Sequence, residues 1–461
     1  MSSKAYVVTD LGPGDGGKGG VVHAVAKLQR AHTIIKRGGA QGSHGVHTAS
    51  GERFAFSQWG CGTLEGVRTH ISSQMIVSPE GLLNEANALR YQCGIHDPFS
   101  LLSVDETALC ATPYHGIASR LRELARGNDP RGTVGTGVGQ AYRDFQVAPE
   151  EAVMVRDLSR PDLRERVADI RDRIRRSLEW YDPTLFGAED LPLASKEVQL
   201  LQDDEFLNYI VNRFQEVAQQ AKVVGSDYLG DEILSRDGAV VVESSHGVLT
   251  DRLAGFDPHT SAIRTLPEFT RRMLDEAGFT GQVVNLGITR AYAVRHGAGP
   301  MPTETPELTE SLLPGSNKDE NRYQGKVRVG PLDLVLLRYA IAASGGTSVF
   351  DGLAVTWFDQ IQANGKWQTC DSYQGSLDGS LFSPSGEIRV VQGEDSRVLS
   401  HQAKLGQVLN RCKPTITETA IDPKATRDEL YARCAELVEG SLNVPVRMVS
   451  FGPTELDKLC R

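Results

Sequence analysis

The glycines of this sequence are concentrated in a few short segments, and three of four strand-like runs of apolar residues lead into such a segment within about a dozen residues. Many of the 47 glycines fall within residues 12–20, 38–45, 132–139 and 296–299. The strand-like runs are residues 5–8, 33–35, 239–242 and 283–286. Strands that end in glycine loops and are followed by helical patterns are typical of parallel sheets. We therefore predict an α/β fold with a large, mostly parallel central sheet and surrounding helices, which binds ligands at the carboxyl ends of its strands.

Length and composition restrict the domain organisation and the class of protein. The 461 residues are 40% apolar and contain no repeat or low-complexity tract, which favours a single elaborated α/β domain over residues 1–461. Acidic residues outnumber basic ones by 59 to 49, and the net charge of −10 disfavours nucleic-acid and membrane partners. The sequence opens without a signal-peptide pattern, and its seven cysteines are scattered singly. This predicts a reduced, cytoplasmic protein.

Two segments have helical patterns, and two others have the composition of connections. Residues 161–178 begin with a proline suited to a first helical turn and mix Arg with Asp. Residues 204–221 place apolar side chains at helical spacing. We interpret residues 182–195, which contain Pro and Asp, as a surface connection. The polar residues 306–322 lack periodicity and are a candidate mobile loop.

The strongest local motif is Gly12-Pro13-Gly14-Asp15-Gly16-Gly17-Lys18-Gly19, directly after the first strand-like run. Its spacing is that of a phosphate-binding loop, in which backbone N–H groups and a lysine surround phosphate oxygens. Gly19 stands where such loops usually have Ser or Thr, so a glycine-rich turn with an exposed lysine is the alternative interpretation. Asp15 is unusual in a loop built for anions. It either holds Mg²⁺, takes a proton from a substrate, or simply forms the turn.

Two further glycine-rich loops contain candidate ligand-binding residues. The second loop, residues 37–45, follows a strand-like run and contains His44. His44 is a candidate general acid because histidine titrates near neutral pH. We interpret His47, further along the chain, as a histidine without a catalytic role. The third loop, residues 132–139, either clamps a ligand or is a flexible turn.

Together these motifs resemble the adenylosuccinate synthetase family. That family opens with a strand, a Gly-Asp-x-Gly-Lys-Gly loop and a second loop of the form Gly-Gly-x-x-x-x-His, and residues 14–19 and 38–44 match both loops. The similarity continues in the family's order through residues 77–83, 113–115, 132–142, 297–304, 445–446 and 450–454. From this resemblance the sequence is identified as a divergent member of the family. We accordingly expect residues 1–461 to form one GTP-dependent ligase domain with the family's fold.

The resemblance implies a reaction and the residues that perform it. The family uses GTP and Mg²⁺ to phosphorylate the 6-oxo group of inosine monophosphate, and then replaces that group with the amine of L-aspartate. By resemblance Asp15 is the catalytic base and binds Mg²⁺ with the backbone near Gly42 and Ser43, and His44 is the acid that assists phosphoryl transfer. The residues expected to bind GTP are Gly14, Gly16, Gly17, Lys18 and Gly19 in the first loop, and Trp357, Asp359, Ser450, Gly452 and Pro453 around the base.

The substrate pocket departs from the family pattern. The residues expected to line its acceptor side are Gln41, Thr133, Val134, His246 and Ser261. Among them, His246 replaces a glutamine and Val134 replaces a threonine. Only Lys326 and Arg328 remain basic in the segment that binds aspartate in the family. The arginine that a neighbouring subunit sends to the nucleotide phosphate has no counterpart in residues 145–151, and Arg143 lies out of register.

Three functions remain open from the sequence. The first is an adenylosuccinate synthetase with altered contacts. The second is a GTP-dependent ligase of the same family that acts on another acceptor, such as a heterocycle without the usual phosphate, or on another amine. The third is a catalytically silent GTP-binding protein, and the joint retention of Asp15, Lys18 and His44 counts against it. The expected partners are small-molecule substrates and, by resemblance, a second copy of the chain in a homodimer.

Overall fold

The computed structural model describes residues 3–313, 322–375 and 378–461. Within these ranges the strands are β1 (Lys4–Asp10), β2 (Thr33–Gly39), β3 (His44–His47), β4 (Arg53–Phe56), β5 (Arg68–Val77), β6 (Leu102–Asp105), β7 (Leu109–Cys110), β8 (Lys222–Val224), β9 (Ala239–Ser244), β10 (Gln282–Arg290), β11 (Ala293–His296), β12 (Val327–Gly330), β13 (Leu332–Asp333), β14 (Gly352–Thr356), β15 (Lys366–Gln374), β16 (Lys413–Ala420), β17 (Val446–Ser450) and β18 (Lys458–Cys460). The α-helices of the same ranges are α1 (Lys18–Leu28), α2 (Pro79–Cys93), α3 (Pro113–Leu124), α4 (Val138–Val147), α5 (Leu163–Ser177), α6 (Leu191–Leu200), α7 (Asp204–Gln220), α8 (Pro267–Glu276), α9 (Leu308–Leu312), α10 (Leu334–Ala343), α11 (Phe358–Asn364), α12 (Ser396–Leu409) and α13 (Arg427–Leu442).

A central sheet of 11 strands organises the chain. Its order is β18-β17-β14-β10-β1-β9-β2-β5-β6-β8, with β7 beside β5, and every pairing is parallel except that of β17 with β18. The strands β3 and β4 form a separate hairpin, β11 pairs with β12, and β13, β15 and β16 form a three-stranded sheet. The predicted α/β class with a large, mostly parallel sheet and surrounding helices is therefore confirmed.

The four strand-like runs of the sequence are neighbours in the middle of this sheet. They correspond to β1, β2, β9 and β10, which lie side by side in the order β10-β1-β9-β2. Successive residues of β1 point to opposite faces: Ala5 and Val7 pack in one apolar cluster, and Tyr6 and Val8 pack in another. Strands that are buried on both faces have nearly continuous apolar sequences, which is why these runs were recognisable.

The two predicted helices are confirmed within two residues at each end, as α5 and α7. The interpretation of residues 182–195 as a connection is wrong in part, because α6 begins at Leu191. A proline in its first turn suits a helix start. Of the predicted mobile loop at 306–322, residues 308–312 form α9, and residues 314–321 lie outside the described residues. The single-domain organisation stays a prediction.

The apolar core consists of two large clusters of buried side chains and two smaller ones. One large cluster joins the middle strands to α1–α3 and α5–α7, and the other joins β14 and β17 to α8–α13. The carboxyl ends of the central strands lie between the elements that supply these clusters. None of the helices in the described ranges is long and apolar enough to cross a membrane.

Candidate active site

The glycine-rich loops meet at the carboxyl ends of the central strands. The first loop joins β1 to α1, the second joins β2 to β3, and residues 245–250 follow β9. Because β9 lies between β1 and β2 in the sheet, these three connections are neighbours in space. The loops of a parallel sheet that lie at this edge are where such folds bind their ligands.

The first loop is organised by Asp10, a buried residue that sequence reasoning did not single out. Its carboxylate accepts hydrogen bonds from the backbone N–H groups of Gly12 (2.9 Å) and Gly16 (2.8 Å) and from Lys18 Nζ (2.8 Å). Lys18 Nζ also donates to the carbonyl of Gly14 at 2.6 Å. Two of the three ammonium protons of Lys18 are thus used within the loop, and one is left for a ligand.

The replacement of the usual Ser or Thr by Gly19 has a steric cause. A Cβ atom on Gly19 would lie 2.3 Å from the carbonyl oxygen of Gly45 in the second loop. No side chain fits at this distance, so α1 packs directly against the backbone of β3. Lys18 is buried as well, which argues against the alternative interpretation of a glycine-rich turn with an exposed lysine.

His44 is held by a buried group of polar residues beneath the second loop. Its Nδ1 atom lies 2.5 Å from Glu243 Oε1, and Lys36 Nζ donates to the same oxygen at 2.8 Å. The Cys61 backbone N–H donates to Glu243 Oε2 at 2.9 Å, and its thiol donates to Oε1 at 3.2 Å. An ionised carboxylate can only accept, so Nδ1 of His44 carries a proton and the ring's Nε2 is left for a ligand.

The charges of this group follow from burial and from mutual attraction. Burial raises the pKa of Glu243, but the Lys36 charge and the His44 hydrogen bond outweigh it and hold that pKa well below its usual range. Burial lowers the pKa of Lys36, but the Glu243 charge more than offsets this and the pKa is raised overall. Burial also lowers the pKa of His44, to about 4. Before a ligand binds, the group is therefore an ion pair beside a neutral imidazole.

One cavity, called here the loop cavity, gathers the residues predicted to bind GTP. It has a volume of about 440 Å³ and lies between the first two loops, β14 and the segment after β17. The predicted residues in its lining are Gly14, Asp15, Gly17, Lys18, Gly19, Ser43, His44, Trp357, Asp359, Ser450, Gly452 and Pro453. Gly16 lies in the same loop, and Gly42 directly precedes Ser43. The structure thus brings together side chains from both ends of the chain.

The end of the loop cavity that is predicted to bind the base contains one desolvated carboxylate and one aromatic ring. Burial raises the pKa of Asp359, which accepts a hydrogen bond from Gln360 at 2.7 Å. One face of the Trp357 ring is covered by the Arg290 guanidinium, which lies 4.3 Å from the ring centre. The sequence predicts that Trp357 stacks on a base, and this stays a prediction. A base could contact only the ring face that Arg290 does not cover.

A second cavity, called here the basic cavity, gathers the predicted acceptor-binding residues. It has a volume of about 560 Å³, and Asp15 lines both it and the loop cavity. The predicted residues in its lining are Asp15, Gln41, Thr133, Val134, His246 and Ser261. Asp15 is therefore the predicted catalytic residue at the junction of the two cavities.

His246, which replaces a glutamine of the family, is fixed in an unusual backbone conformation. Its φ angle is 66°, in the left-handed region that non-glycine residues rarely adopt. The side-chain amide of Gln41 contacts His246 Nε2 at 2.5 Å, and burial lowers the pKa of His246 to about 4. The amide nitrogen of Gln41 only donates, so Nε2 of the neutral ring accepts, and the protonated Nδ1 is the ring atom left to donate to a ligand.

Arginines dominate the charge of the basic cavity, and the sequence analysis did not predict them. They are Arg122, Arg126, Arg131, Arg143, Arg252 and Arg295. The acidic residues of the same lining are Asp15, Glu123 and Asp257. Burial and the neighbouring arginines lower the pKa of Arg143 to about 10. Six guanidinium groups beside three carboxylates leave an excess of positive charge, which forms a site for an anion.

The two basic residues expected to bind the amine substrate are not in these linings. Neither Lys326 nor Arg328 lines either cavity. The Arg328 guanidinium donates to the carbonyls of Gly297 and Gly299 and to the Glu304 carboxylate, at 2.6–3.0 Å. Arg328 thus has a structural role in the described structure. The role of both residues in binding an amine stays a prediction.

Comparisons with known proteins agree with this geometry. The sequence profile of the adenylosuccinate synthetase family matches residues 7–458. The chain belongs to the adenylosuccinate synthetase family. It is 25% identical to the adenylosuccinate synthetase of Halothermothrix orenii, covering 100% of this chain and 99% of the relative. It is 28% identical to that of Bordetella pertussis, covering 98% and 96%.

Solved structures of low sequence identity have the same fold. The fully ligated adenylosuccinate synthetase of Plasmodium falciparum superposes with a TM-score of 0.73 at 15% identity, over 99% of both chains. A cyanophage S-2L succinoaminodeoxyadenylate synthetase, solved with dGMP and with dATP as an energy donor, superposes with a TM-score of 0.56 at 14% identity, over 100% of this chain and 96% of that one. The adenylosuccinate synthetase family consists of carbon–nitrogen ligases of purine metabolism, so the chain is a divergent member of a ligase family.

The buried group around Glu243 leads to a prediction about stability. Glu243→Gln leaves the Lys36 ammonium without a counter-ion inside the protein, and we expect the free energy of unfolding to fall by about 3–5 kcal/mol. Adding Lys36→Met in the same chain should recover part of this loss, since it removes the uncompensated charge. The measurement is denaturant unfolding of both variants. Glu276→Gln, an exposed change on α8, is the control, and it should change the free energy of unfolding by no more than about 0.5 kcal/mol. An unchanged stability of Glu243→Gln would contradict the assignment.

Proposed function

We propose that this protein is a GTP-dependent ligase that activates the 6-oxo group of a purine nucleotide and replaces it with an amine. The observation that carries the proposal is the position of Asp15, which lines both the loop cavity and the basic cavity. A group at that junction contacts a phosphoryl donor on one side and an acceptor on the other. The family reaction with inosine monophosphate and L-aspartate is the best-defined form of this chemistry.

Each residue has a definite task in the first step. Asp15 takes the proton from N1 of the purine, and the 6-oxygen attacks the γ-phosphorus of GTP. An oxygen–phosphorus bond forms as the bond to the β-phosphate oxygen breaks, and GDP leaves. His44 Nε2 meets the transferring group, whose negative charge raises the pKa of His44, so that Nε2 takes up a proton from solvent and the imidazolium donates a hydrogen bond to the transferring phosphoryl oxygen. Glu243 stabilises this imidazolium through Nδ1.

The residues around the junction fit a magnesium ion. Mg²⁺ prefers oxygen ligands, and the Asp15 carboxylate and the backbone oxygens near Gly42 and Ser43 provide them. When bound, Mg²⁺ neutralises charge on the donor phosphates. Lys18 keeps one ammonium proton for the same phosphates, since its other contacts are with Asp10 and Gly14.

The second step replaces the phosphorylated oxygen. The amine attacks C6 of the purine, the carbon–oxygen bond breaks, and inorganic phosphate leaves with the former 6-oxygen. A carbonyl oxygen is a poor leaving group until it is phosphorylated. The acceptor must therefore stay in one place while it is phosphorylated and while the amine then attacks it. The two cavities that share Asp15 provide that position within one subunit.

The basic cavity favours an acceptor that carries a phosphate. Arg131, Arg143 and Arg252 line it together with Thr133 and Ser261. Asp257 lies 3.8 Å from the Arg252 guanidinium, and one carboxylate does not balance three guanidinium groups. A phosphate-free heterocycle would leave part of this positive charge uncompensated, which disfavours the second interpretation of the sequence in its phosphate-free form. Because the arginines belong to this chain, the cavity does not need an arginine from a partner. Homodimerisation and a cytoplasmic location stay predictions.

A second candidate function differs only in the amine. Arg328 is bound to two carbonyls and to Glu304, so the family's arginine-rich aspartate site is altered here. Arg295 lines the basic cavity and a small adjoining pocket of about 60 Å³, which Asp15 and Arg290 also line. Arg290 and Arg295 are the cations of this small pocket that a carboxylate could meet. This arrangement supports either aspartate in a different pose or a smaller amino acid.

The base pocket leads to a prediction about nucleotide choice. Asp359 accepts hydrogen bonds from the N–H groups of a guanine edge, and adenine presents an acceptor there. Asp359→Asn should therefore reduce the preference for GTP over ATP by about tenfold to a hundredfold, as expected for hydrogen bonds to a charged group. The measurement is the binding constant of each nucleotide, with Asp275→Asn, an exposed change on α8, as control. An unchanged preference would remove Asp359 from base recognition.

The basic cavity leads to a prediction about the acceptor. Arg143→Gln should raise the KM for inosine monophosphate by about tenfold to a hundredfold, because it removes a charged donor to the phosphate. The KM for inosine, which lacks the phosphate, should change little. The measurement is phosphate release from GTP in the presence of Mg²⁺ and aspartate, with the exposed Arg175→Gln as control. Equal effects on the two acceptors would place the phosphate elsewhere.

A further inference from the structure

A group of ligating side chains lies outside the two cavities, on the other side of α1. It consists of His23 in α1, Glu65 in the short helix Thr63–Glu65 and Glu455 in the segment after β17. One ligating atom from each lies within 4.8 Å of the others. Lys27, one turn after His23, donates to Glu65 at 2.9 Å and to Glu455 at 2.7 Å.

The His23 ring has a defined tautomer. Its Nδ1 atom lies 3.1 Å from the carbonyl oxygen of Cys61, and a carbonyl only accepts, so Nδ1 carries the proton. In a neutral ring the Nε2 atom then presents a lone pair. The side chain is 1% exposed, and Nε2 is buried without a hydrogen-bond partner in the described structure.

Nε2 of His23 faces two carboxylates at distances that a hydrogen bond does not explain. It lies 3.7 Å from Glu65 Oε1 and 3.7 Å from Glu455 Oε2. An N–H···O bond would bring these atoms to about 2.7–3.2 Å. Two ligands of one tetrahedral Zn²⁺ lie about 3.3–3.5 Å apart, given bonds of about 2.0–2.2 Å. The observed separations are therefore close to those of atoms that share a metal ion.

The charges of the group also call for a cation. Lys27 donates to both carboxylates, but its single positive charge balances only one of their two negative charges. Nε2 of His23 lies beside both carboxylates. A metal-bound histidine commonly donates its other N–H to a backbone carbonyl, which is what Nδ1 does at Cys61. Mixed imidazole and carboxylate ligands suit Zn²⁺ and related transition metals better than Mg²⁺. We propose that His23, Glu65 and Glu455 bind one divalent transition-metal ion of the Zn²⁺ class, with water at the remaining position.

The site connects three segments that surround the active site. Glu455 follows Pro453 of the loop cavity, and its Oε2 atom also accepts the Ala49 backbone N–H at 3.1 Å. The residue that orients His23, Cys61, donates its own N–H to Glu243. A metal ion here fixes the segment after β17 against α1 and so holds the base-binding end of the loop cavity. The proposal does not depend on the reaction assigned to the protein.

Cobalt binding tests the site in the full-length chain. The protein is treated with a chelator, dialysed and titrated with Co²⁺ in the absence of nucleotide and Mg²⁺. We expect one Co²⁺ per chain with the visible absorption of a tetrahedral site, and a higher Tm with Zn²⁺. Glu65→Gln, which changes a side chain that is 32% exposed, should weaken Co²⁺ binding by at least about tenfold. His23→Gln should do the same.

Two further variants distinguish a metal ion at His23 from a proton on its ring or an ion bound elsewhere. Lys27→Met should strengthen Co²⁺ binding, since it removes the ammonium that competes for both carboxylates, whereas Glu179→Gln on the surface should have no effect. Unchanged Co²⁺ binding in Glu65→Gln would overturn the proposal. A thiolate-to-cobalt absorption band would also overturn it, because it would place the ion at a cysteine. An absence of tetrahedral Co²⁺ absorption in the unmodified protein would overturn it as well.

Discussion

Glu243 carries its charge in the middle of a parallel sheet, where β9 is flanked by β1 and β2. Lys36 is its register partner on β2, so the sheet itself brings the ammonium to the carboxylate. A buried carboxylate without such a partner would take up a proton or destabilise the fold. With Lys36 in place, the same carboxylate orients His44 and fixes the backbone at Cys61. The position of the proposed acid thus depends on an ion pair inside the sheet.

The parts of the structure that short sequence patterns determine were predictable. The four central strands were recognised because both faces of each are buried, and the helices α5 and α7 because one face of each is apolar. The first two loops were recognised because glycine spacing and a nearby lysine or histidine occur together. The resemblance to a family placed Asp359 and Ser450 in the base pocket, far along the chain from these loops.

The parts that depend on contacts between distant segments were not predictable. In the sequence Asp10 only follows the strand-like run at residues 5–8. The folded loop shows that its carboxylate accepts a hydrogen bond from Lys18. Arg143 was out of register in the sequence, yet α4 brings it to the cavity that Thr133 lines. The contacts of Arg328 with the carbonyls of Gly297 and Gly299 were not predicted, and its role in binding a substrate stays a prediction. In each case a side chain reaches across a turn or a sheet edge, and the spacing of residues does not encode this.

The distribution of charge separates the site from the rest of the molecule. The chain has a net charge of −10, yet its basic cavity is lined by six arginines and three acidic residues. An overall negative charge disfavours long polyanions such as nucleic acids, while a local basic cavity attracts a small anion. This contrast supports the proposed small phosphorylated substrate.

The most direct test of this account follows the 6-oxygen of the acceptor. Inosine monophosphate labelled at that oxygen with a heavy isotope is incubated with GTP, Mg²⁺ and aspartate, and the released phosphate is analysed by mass spectrometry. The account predicts that each released phosphate contains one labelled oxygen, because the acceptor oxygen leaves bound to phosphorus, and that Asp15→Asn releases none. Unlabelled phosphate would show that water attacks GTP, and would contradict activation of the acceptor by phosphorylation.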